Sequence, residues 1–165
     1  MKVVFLDIDG VLNSRLWFER RETNAHNMAN DIDPEAAARV QRLCDETGAV
    51  LVISSTWRLI HQLNAIRTVF KSKGLTAHVI GKTPERPRGD RGDEIQRWLD
   101  LANLFPLRPS GMVIIDDDAD MLHLMPWLVK TTFFDGFTDS DVTRAAAMLS
   151  RPMPPITNTT NESNG

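Results

Sequence analysis

The stretch MKVVFLDIDGVLNS, residues 1–14, decides the fold of this chain. Its apolar run over residues 2–7 lacks polar alternation, which predicts a β-strand that is covered on both faces. Two carboxylates, Asp7 and Asp9, stand at the end of this run, and Gly10 permits a tight turn after them. Because ligands of open parallel sheets bind beyond the carboxyl ends of the strands, the stretch predicts a buried strand with a functional site at its end.

Apolar runs and helical patterns alternate along the rest of the chain. Strands are also predicted over residues 49–54, 77–81, 111–116 and 130–135, and helices over 33–48, 57–74, 92–105 and 138–150. Such alternation is typical of right-handed βαβ crossovers. We therefore expect an α/β fold, a doubly wound, Rossmann-like three-layer sandwich with a mostly parallel five-stranded sheet.

Length and composition predict one soluble domain. The 165 residues are 42% hydrophobic and 25% charged, and the net charge of −3 gives no overall bias toward nucleic acid or membrane. The single cysteine, Cys44, excludes an intramolecular disulfide, and no apolar run approaches the roughly 20 residues of a membrane span. We expect a cytoplasmic protein with its domain over residues 1–151 and a flexible tail over 152–165.

Acids and hydroxyls stand at the ends of the predicted strands. They are Asp7 and Asp9, Ser54 and Ser55, Asp116 and Asp117, and Asp135. The carboxylates gathered at one sheet edge would repel one another unless a cation neutralised them. Oxygen ligands without Cys or His select Mg²⁺, so the sequence predicts a magnesium site.

These strand-end motifs resemble those of the haloacid dehalogenase (HAD) superfamily of phosphohydrolases. DIDGVLN (7–13) is similar to the first motif of the superfamily, LVISS (51–55) to the second and VIIDDD (113–118) to the fourth. The third motif, a cation before a helix, is either Arg91 or Lys82. The resemblance spans about residues 2–135. SSTWR, GKTP, RGDEIQRWL and DDDAD further resemble HAD proteins associated with nucleic-acid repair.

The resemblance implies a phosphatase mechanism. It implies that Asp7 attacks a phosphate monoester to form an aspartyl-phosphate, and that Asp9 acts as the general acid and then as the base. Ser54 would bind the phosphoryl oxygens, and Arg91 or Lys82 would supply positive charge.

The resemblance also implies the ligands of the predicted Mg²⁺. They are the carboxylate of Asp7, the backbone carbonyl of Asp9, and either Asp116 or Asp117. The cation would offset the repulsion between an anionic nucleophile and a dianionic substrate.

A short insert over residues 14–33 stands where many HAD enzymes carry a cap domain. It is too short for a globular cap, as is the segment between Ser54 and Arg91, which predicts an open site. The insert interleaves Arg15 and Arg20 with Trp17, a pattern that suits base stacking and phosphate contact. Packing of the aromatic residues onto the core is the alternative interpretation.

The substrate prediction follows from these basic and aromatic residues. Gly10, Ser55 and Arg58 are expected to contact the substrate, and a second basic cluster lies within residues 82–91. We therefore predict an enzyme that acts on the terminal phosphate of a nucleic acid or on a nucleotide. A sugar-phosphate phosphatase and a catalytically idle phosphate-binding module are the alternatives.

Overall fold

Five strands within the described residues form one sheet, in which all neighbouring strands run parallel. The computed structural model describes residues 1–21, 31–86, 89–104 and 108–153. The strands are β1 (Lys2–Leu6), β2 (Ala49–Ile53), β3 (Val79–Lys82), β4 (Gly111–Asp116) and β5 (Leu128–Lys130). Their order is β3-β2-β1-β4-β5, so the chain winds outward from β1 in both directions. This order confirms the predicted doubly wound fold.

Helices cover both faces of the sheet. They are α1 (Arg15–Arg20), α2 (Pro34–Thr47), α3 (Trp57–Ile60), α4 (Leu63–Ser72), α5 (Arg91–Asn103), α6 (Asp139–Leu149) and a 3₁₀ helix (Leu122–Trp127). Val4 and Leu6 of β1 belong to the core beneath α2, α4 and α6, whereas Val3 and Phe5 belong to the core beneath α5 and the 3₁₀ helix. This alternation along one strand makes the three layers.

Capping residues fix the ends of α2 and the start of α6. The side chain of Asp33 accepts a hydrogen bond from the backbone N–H of Glu35, and Gly48 ends α2 in the left-handed conformation, with φ of +67°. Thr138 and Asp141 form a capping box at the start of α6.

The predicted strand over 130–135 is wrong. The strand, β5, lies at Leu128–Lys130, and residues 132–136 form a turn closed by the backbone N–H of Gly136 on Thr132. Asp135 is exposed, and its side chain accepts a hydrogen bond from the Thr132 hydroxyl, which in turn accepts one from the backbone N–H of Asp135. The hydrogen bonds of this turn outweigh the β-propensity of Phe133 and Phe134, so Asp135 does not join the acids at the sheet edge.

The predicted helix over 57–74 is two helices. The chain is extended at His61 and Gln62, between α3 and α4. Leu59 continues the apolar spacing of α4 and so favours one long helix, but in the structure it is half-exposed.

The described residues contain no separate cap domain and no helix that could cross a membrane. Residues 22–30 of the insert and 154–165 of the predicted tail lie outside the described part of the chain.

Gly48→Ala should lower the free energy of unfolding by about 1 kcal/mol, because an L side chain is strained at this positive φ. No atom lies within 4 Å of the added Cβ, so the effect isolates backbone strain. Urea unfolding of the Ala and Asn variants measures it. Gly48→Asn should lower the free energy of unfolding less than Gly48→Ala does, because Asn tolerates the left-handed region. Equal stability of Gly48→Ala and wild type would contradict the assignment of backbone strain to this position.

Candidate active site

Three carboxylates meet where β1 and β4 end side by side. Asp7 follows β1, Asp116 is the last residue of β4, and Asp117 comes next in the chain. Each offers an oxygen atom, and these atoms all lie within 4.8 Å of one another. Asp7 is 5% exposed and Asp116 is fully buried. The parallel register of β1 and β4 places them together, as the strand-end argument predicts.

Gly10 provides the space for one of these acids. Its φ is +73°, and a Cβ at this position would lie 2.3 Å from the Cγ atom of Asp117. The backbone carbonyl of Gly10 accepts a hydrogen bond from the Thr131 hydroxyl at 2.9 Å, which ties the turn to the residue after β5. The sequence assigned Gly10 to substrate contact, and the structure shows in addition that Asp117 occupies the space of its absent side chain.

Asp9 is held by two donors beside the acid cluster. Asn13 Nδ2 donates to Asp9 Oδ1 at 2.8 Å, and Trp57 Nε1 donates to Asp9 Oδ2 at 3.1 Å. The backbone N–H of Gly10 donates to Asn13 Oδ1, which closes the turn. Sequence reasoning missed Trp57 and Asn13. Asn13 stands in the quoted first motif, but nothing in the local sequence pairs Trp57 with a carboxylate on another element.

Ser54 presents a buried hydroxyl at the end of β2. Its backbone N–H donates to the carbonyl of Leu6 at 2.9 Å, which fixes it beside Asp7. The Oγ atom is buried and has no hydrogen-bond partner among the described residues. A buried hydroxyl without a partner costs about 1–3 kcal/mol. An oxygen-rich ligand at this sheet edge would supply the missing contact.

Arg91 contacts the acids, and Lys82 does not. The Arg91 guanidinium donates to the carbonyl of Ser54 and lies 3.9 Å from Asp7 Oδ1 and 3.6 Å from Asp116 Oδ2. Lys82 instead donates from Nζ to the carbonyl of Arg58 at 2.8 Å. Of the two cations that the sequence left open, the geometry therefore favours Arg91 for the position of the third motif.

Arg58, which the sequence assigned to substrate contact, forms a buried ion pair in the structure. Its side chain is 4% exposed, pairs with Glu94 on α5 and donates to the carbonyl of Ser55 at 2.7 Å. A guanidinium with these partners is held in place beside the loop after β2, and its substrate contact stays a prediction. Ser55 is itself buried.

The described residues of the insert pack on the turn after β5. The backbone N–H groups of α1 at Arg15 and Leu16 donate to the carbonyls of Phe133 and Phe134. Arg15 is exposed, pairs with Glu19 and lies 5.9 Å from the centroid of the Phe134 ring.

The two other predicted contacts of the insert differ in exposure. Trp17 is partly buried, with Lys73 Nζ 5.9 Å from its ring centroid, whereas Arg20 is exposed. Packing of Trp17 fits the alternative interpretation of the insert, and the contacts described here do not join Arg15, Trp17 or Arg20 to the acid cluster.

The acids of the cluster have raised pKa values. Burial raises the pKa of Asp7 to about 6 and, together with the charge of Asp7, raises the pKa of Asp116 to about 8, while Arg91 acts in the opposite direction. Burial and the nearby charge of Asp118 also raise the pKa of Asp117. The three carboxylates are thus not neutralised by the arginine beside them.

The donor set fits Mg²⁺. Three carboxylates converge without Cys or His, as a hard divalent cation requires. The Oδ2 atom of Asp116 is buried and has no hydrogen-bond partner among the described residues, although Arg91 lies at ion-pair distance. A cation would satisfy this atom and offset the cost of burying the carboxylate charges, which is the main cause of the raised pKa values.

The fold and the site together define a domain of the HAD type. A nucleophile candidate, a second acid two residues later, a strand-end serine, an arginine and paired acids lie around the switch point of one doubly wound sheet. Residues 3–142 match the family described as the HAD domain in Swiss Army Knife RNA repair proteins, and the chain belongs to this family. No curated protein matches the chain.

The metal-free chain should lose stability as pH rises from 5 to 8. The folded-state pKa values of Asp7 and Asp116 lie above the ordinary 3.8, so the folded state binds more protons and ionisation of either acid disfavours folding. Thermal unfolding in EDTA measures this. Asp116→Asn should flatten the decrease, whereas Asp100→Asn, on the exposed side of α5, should not. A Tm that is constant or rises over this range would contradict the argument.

Proposed function

We propose that the chain is a Mg²⁺-dependent phosphomonoester hydrolase that works through an aspartyl-phosphate on Asp7 and acts on the terminal phosphate of a nucleic acid or on a nucleotide. The observation that carries the proposal is the position of Asp7. It lies at the switch point between Arg91 and the paired acids, with Asp9 anchored two residues later. Membership in the HAD family supports this class of chemistry.

In the first step, an Asp7 oxygen forms a bond to phosphorus and the phosphorus–oxygen bond to the leaving group breaks. Asp9 gives its proton to the departing oxygen, so the leaving group departs as a neutral alcohol. The Ser54 hydroxyl and the Arg91 guanidinium bind the equatorial oxygens of the phosphoryl group. Trp57 and Asn13 hold the Asp9 carboxyl in place through the hydrogen bonds described above.

In the second step, water attacks the phosphorus and the bond to Asp7 breaks. Asp9, now a carboxylate, takes a proton from this water. The products are inorganic phosphate and the free Asp7 carboxylate, so the site returns to its starting state. The reuse of Asp9 as acid and then base requires it to stay in one position, which its two donors support.

Asp7, Asp116 and Asp117 would hold the Mg²⁺, together with the backbone carbonyl of Asp9 that the family resemblance implies. When bound, the ion supplies positive charge that lets an anionic nucleophile approach an anionic phosphate. The raised pKa values of Asp7 and Asp116 support the need for such a positive charge beside these carboxylates.

The substrate class rests on the family description and on exposed aromatic residues of the turn after β5. The family description names RNA repair proteins. Phe133 and Phe134 are about half exposed on the turn after β5, and Arg15 lies beside the Phe134 ring. Exposed aromatic rings beside a cation are typical of surfaces on which nucleic-acid bases stack.

Asp7→Asn should abolish hydrolysis of an aryl phosphate in the presence of Mg²⁺, because an amide is too weak a nucleophile for this step. Asp100→Asn, an exposed acid on α5, is the matched control and should keep wild-type rates. Equal activity of Asp7→Asn and wild type would overturn the mechanism.

Comparison of 3′-phosphorylated oligonucleotides, mononucleotides and sugar phosphates tests the substrate class, and activity confined to sugar phosphates would refute it.

Trp57→Phe should lower kcat about tenfold and change KM little, because it removes one of the donors that hold the acid–base residue. The loss should be larger for an alkyl phosphate than for an aryl phosphate, since the poorer leaving group needs the proton more. Trp127→Phe, at a similarly buried tryptophan of the 3₁₀ helix, controls for general destabilisation. A uniform loss across leaving groups would contradict the assignment.

A further inference from the structure

A second cavity lies beside the candidate active site, at the β3 edge of the sheet. We call it the Trp98 pocket. It has a volume of about 420 Å³, and its lining includes Leu59, Lys82, Thr83, Glu85, Trp98 and Leu101. The size falls within the range of small-molecule sites. None of the proposed catalytic steps uses it.

Strand register places the pocket next to the phosphate site. Lys82 pairs with Ile53, the residue before Ser54, and the backbone N–H of Thr83 donates to the carbonyl of Ile53 at 2.9 Å. Adjacent strands are about 4.8 Å apart. The pocket therefore begins about one strand spacing from the serine at the end of β2, on the side away from Asp116.

The lining combines apolar side chains with polar ones, of which Arg58 and Thr83 are buried. Leu59 is 50% exposed and Leu101 is 38% exposed, and Trp98 lies partly exposed between them and the sheet. Lys82 and Glu85 add one hydrogen-bond donor group and one acceptor group. The indole of Trp98 and the two leucines offer apolar surface that suits a flat, weakly hydrated ring better than a polyhydroxylated sugar.

The walls of the pocket are fixed by buried contacts. Trp98 packs edge to face on Phe5 of β1, with ring centroids 5.3 Å apart. Arg58, which also lines the pocket, is held by its buried ion pair with Glu94, and its carbonyl accepts from Lys82. Because both walls are anchored to elements that carry the site, the pocket keeps a fixed position relative to Asp7.

We infer that the Trp98 pocket binds the nucleobase of the nucleotide whose phosphate lies at Asp7. The inference rests on the proposed function and deepens it. A nucleotide carries its base one sugar away from its phosphate, which matches a cavity one strand spacing from Ser54. The base stacks against the indole and the leucines, and its polar edge meets Lys82 and Glu85.

Leu101→Glu tests the pocket, because it places a charge among the apolar side chains at a position exposed enough to tolerate it. The ratio of kcat/KM for a nucleoside monophosphate to kcat/KM for glycerol phosphate should fall about tenfold, within the range expected for loss of base stacking. Met125→Glu, at a similarly exposed residue of the 3₁₀ helix, is the matched control and should leave the ratio unchanged. An unchanged ratio in Leu101→Glu would overturn the inference.

Binding without turnover separates this inference from the proposed function. Calorimetric titration of Asp7→Asn with a nucleoside monophosphate should show binding that Leu101→Glu weakens about tenfold and Met125→Glu does not. This result would support the pocket even if the wild type hydrolysed neither phosphate. Such a lack of hydrolysis would refute the proposed function but not the pocket. Absence of binding to Asp7→Asn, or equal affinity in the Leu101→Glu and Met125→Glu variants, would refute the pocket.

Discussion

Repulsion among three carboxylates in a buried crevice is the constraint on which the rest of the site depends. Asp7, Asp116 and Asp117 converge within 4.8 Å because two parallel strands end side by side. Burial removes most of the water that would screen their charges. Arg91 offsets part of the charge but leaves the pKa values of Asp7 and Asp116 raised. The arrangement is stable at neutral pH only if protons or a cation supply the remaining positive charge.

The surroundings of the cluster hold it in place against this repulsion. Arg91 donates to the carbonyl of Ser54. Arg58 donates to the carbonyl of Ser55 in the same loop and pairs with Glu94 of α5. Breaking a buried ion pair of this kind by removing one partner costs about 3–5 kcal/mol. Two arginines thus bind successive carbonyls of the loop after β2, which fixes the backbone at Ser54 and Ser55.

The sequence predicted the parts of this structure that follow from strand order. Asp7, Ser54 and Asp116 were found because the carboxyl ends of parallel strands meet at one edge. Asp135 was misplaced because a turn held by a side-chain hydrogen bond has the composition of a strand. The buried ion pair of Arg58 was not predicted because the motif that contains Arg58 does not reveal Glu94, which lies on another element.

Other features could be seen only in three dimensions. The hydrogen bond from Trp57 to Asp9 joins residues 48 positions apart, and no helix or strand periodicity in the sequence indicates it. The Trp98 pocket likewise depends on the packing of α3 and α5 around the end of β3. Helix and strand patterns indicate most of the buried apolar residues, but they do not determine which polar side chains meet between elements.

Calorimetric titration with Mg²⁺ tests the central claim most directly. If the acid cluster is a cation site, the wild-type chain binds Mg²⁺ at neutral pH, Asp116→Asn loses this binding, and Asp100→Asn retains it. Wild-type protein that binds no Mg²⁺, or an Asp116→Asn variant with undiminished affinity, would contradict the claim that a divalent cation neutralises these three carboxylates.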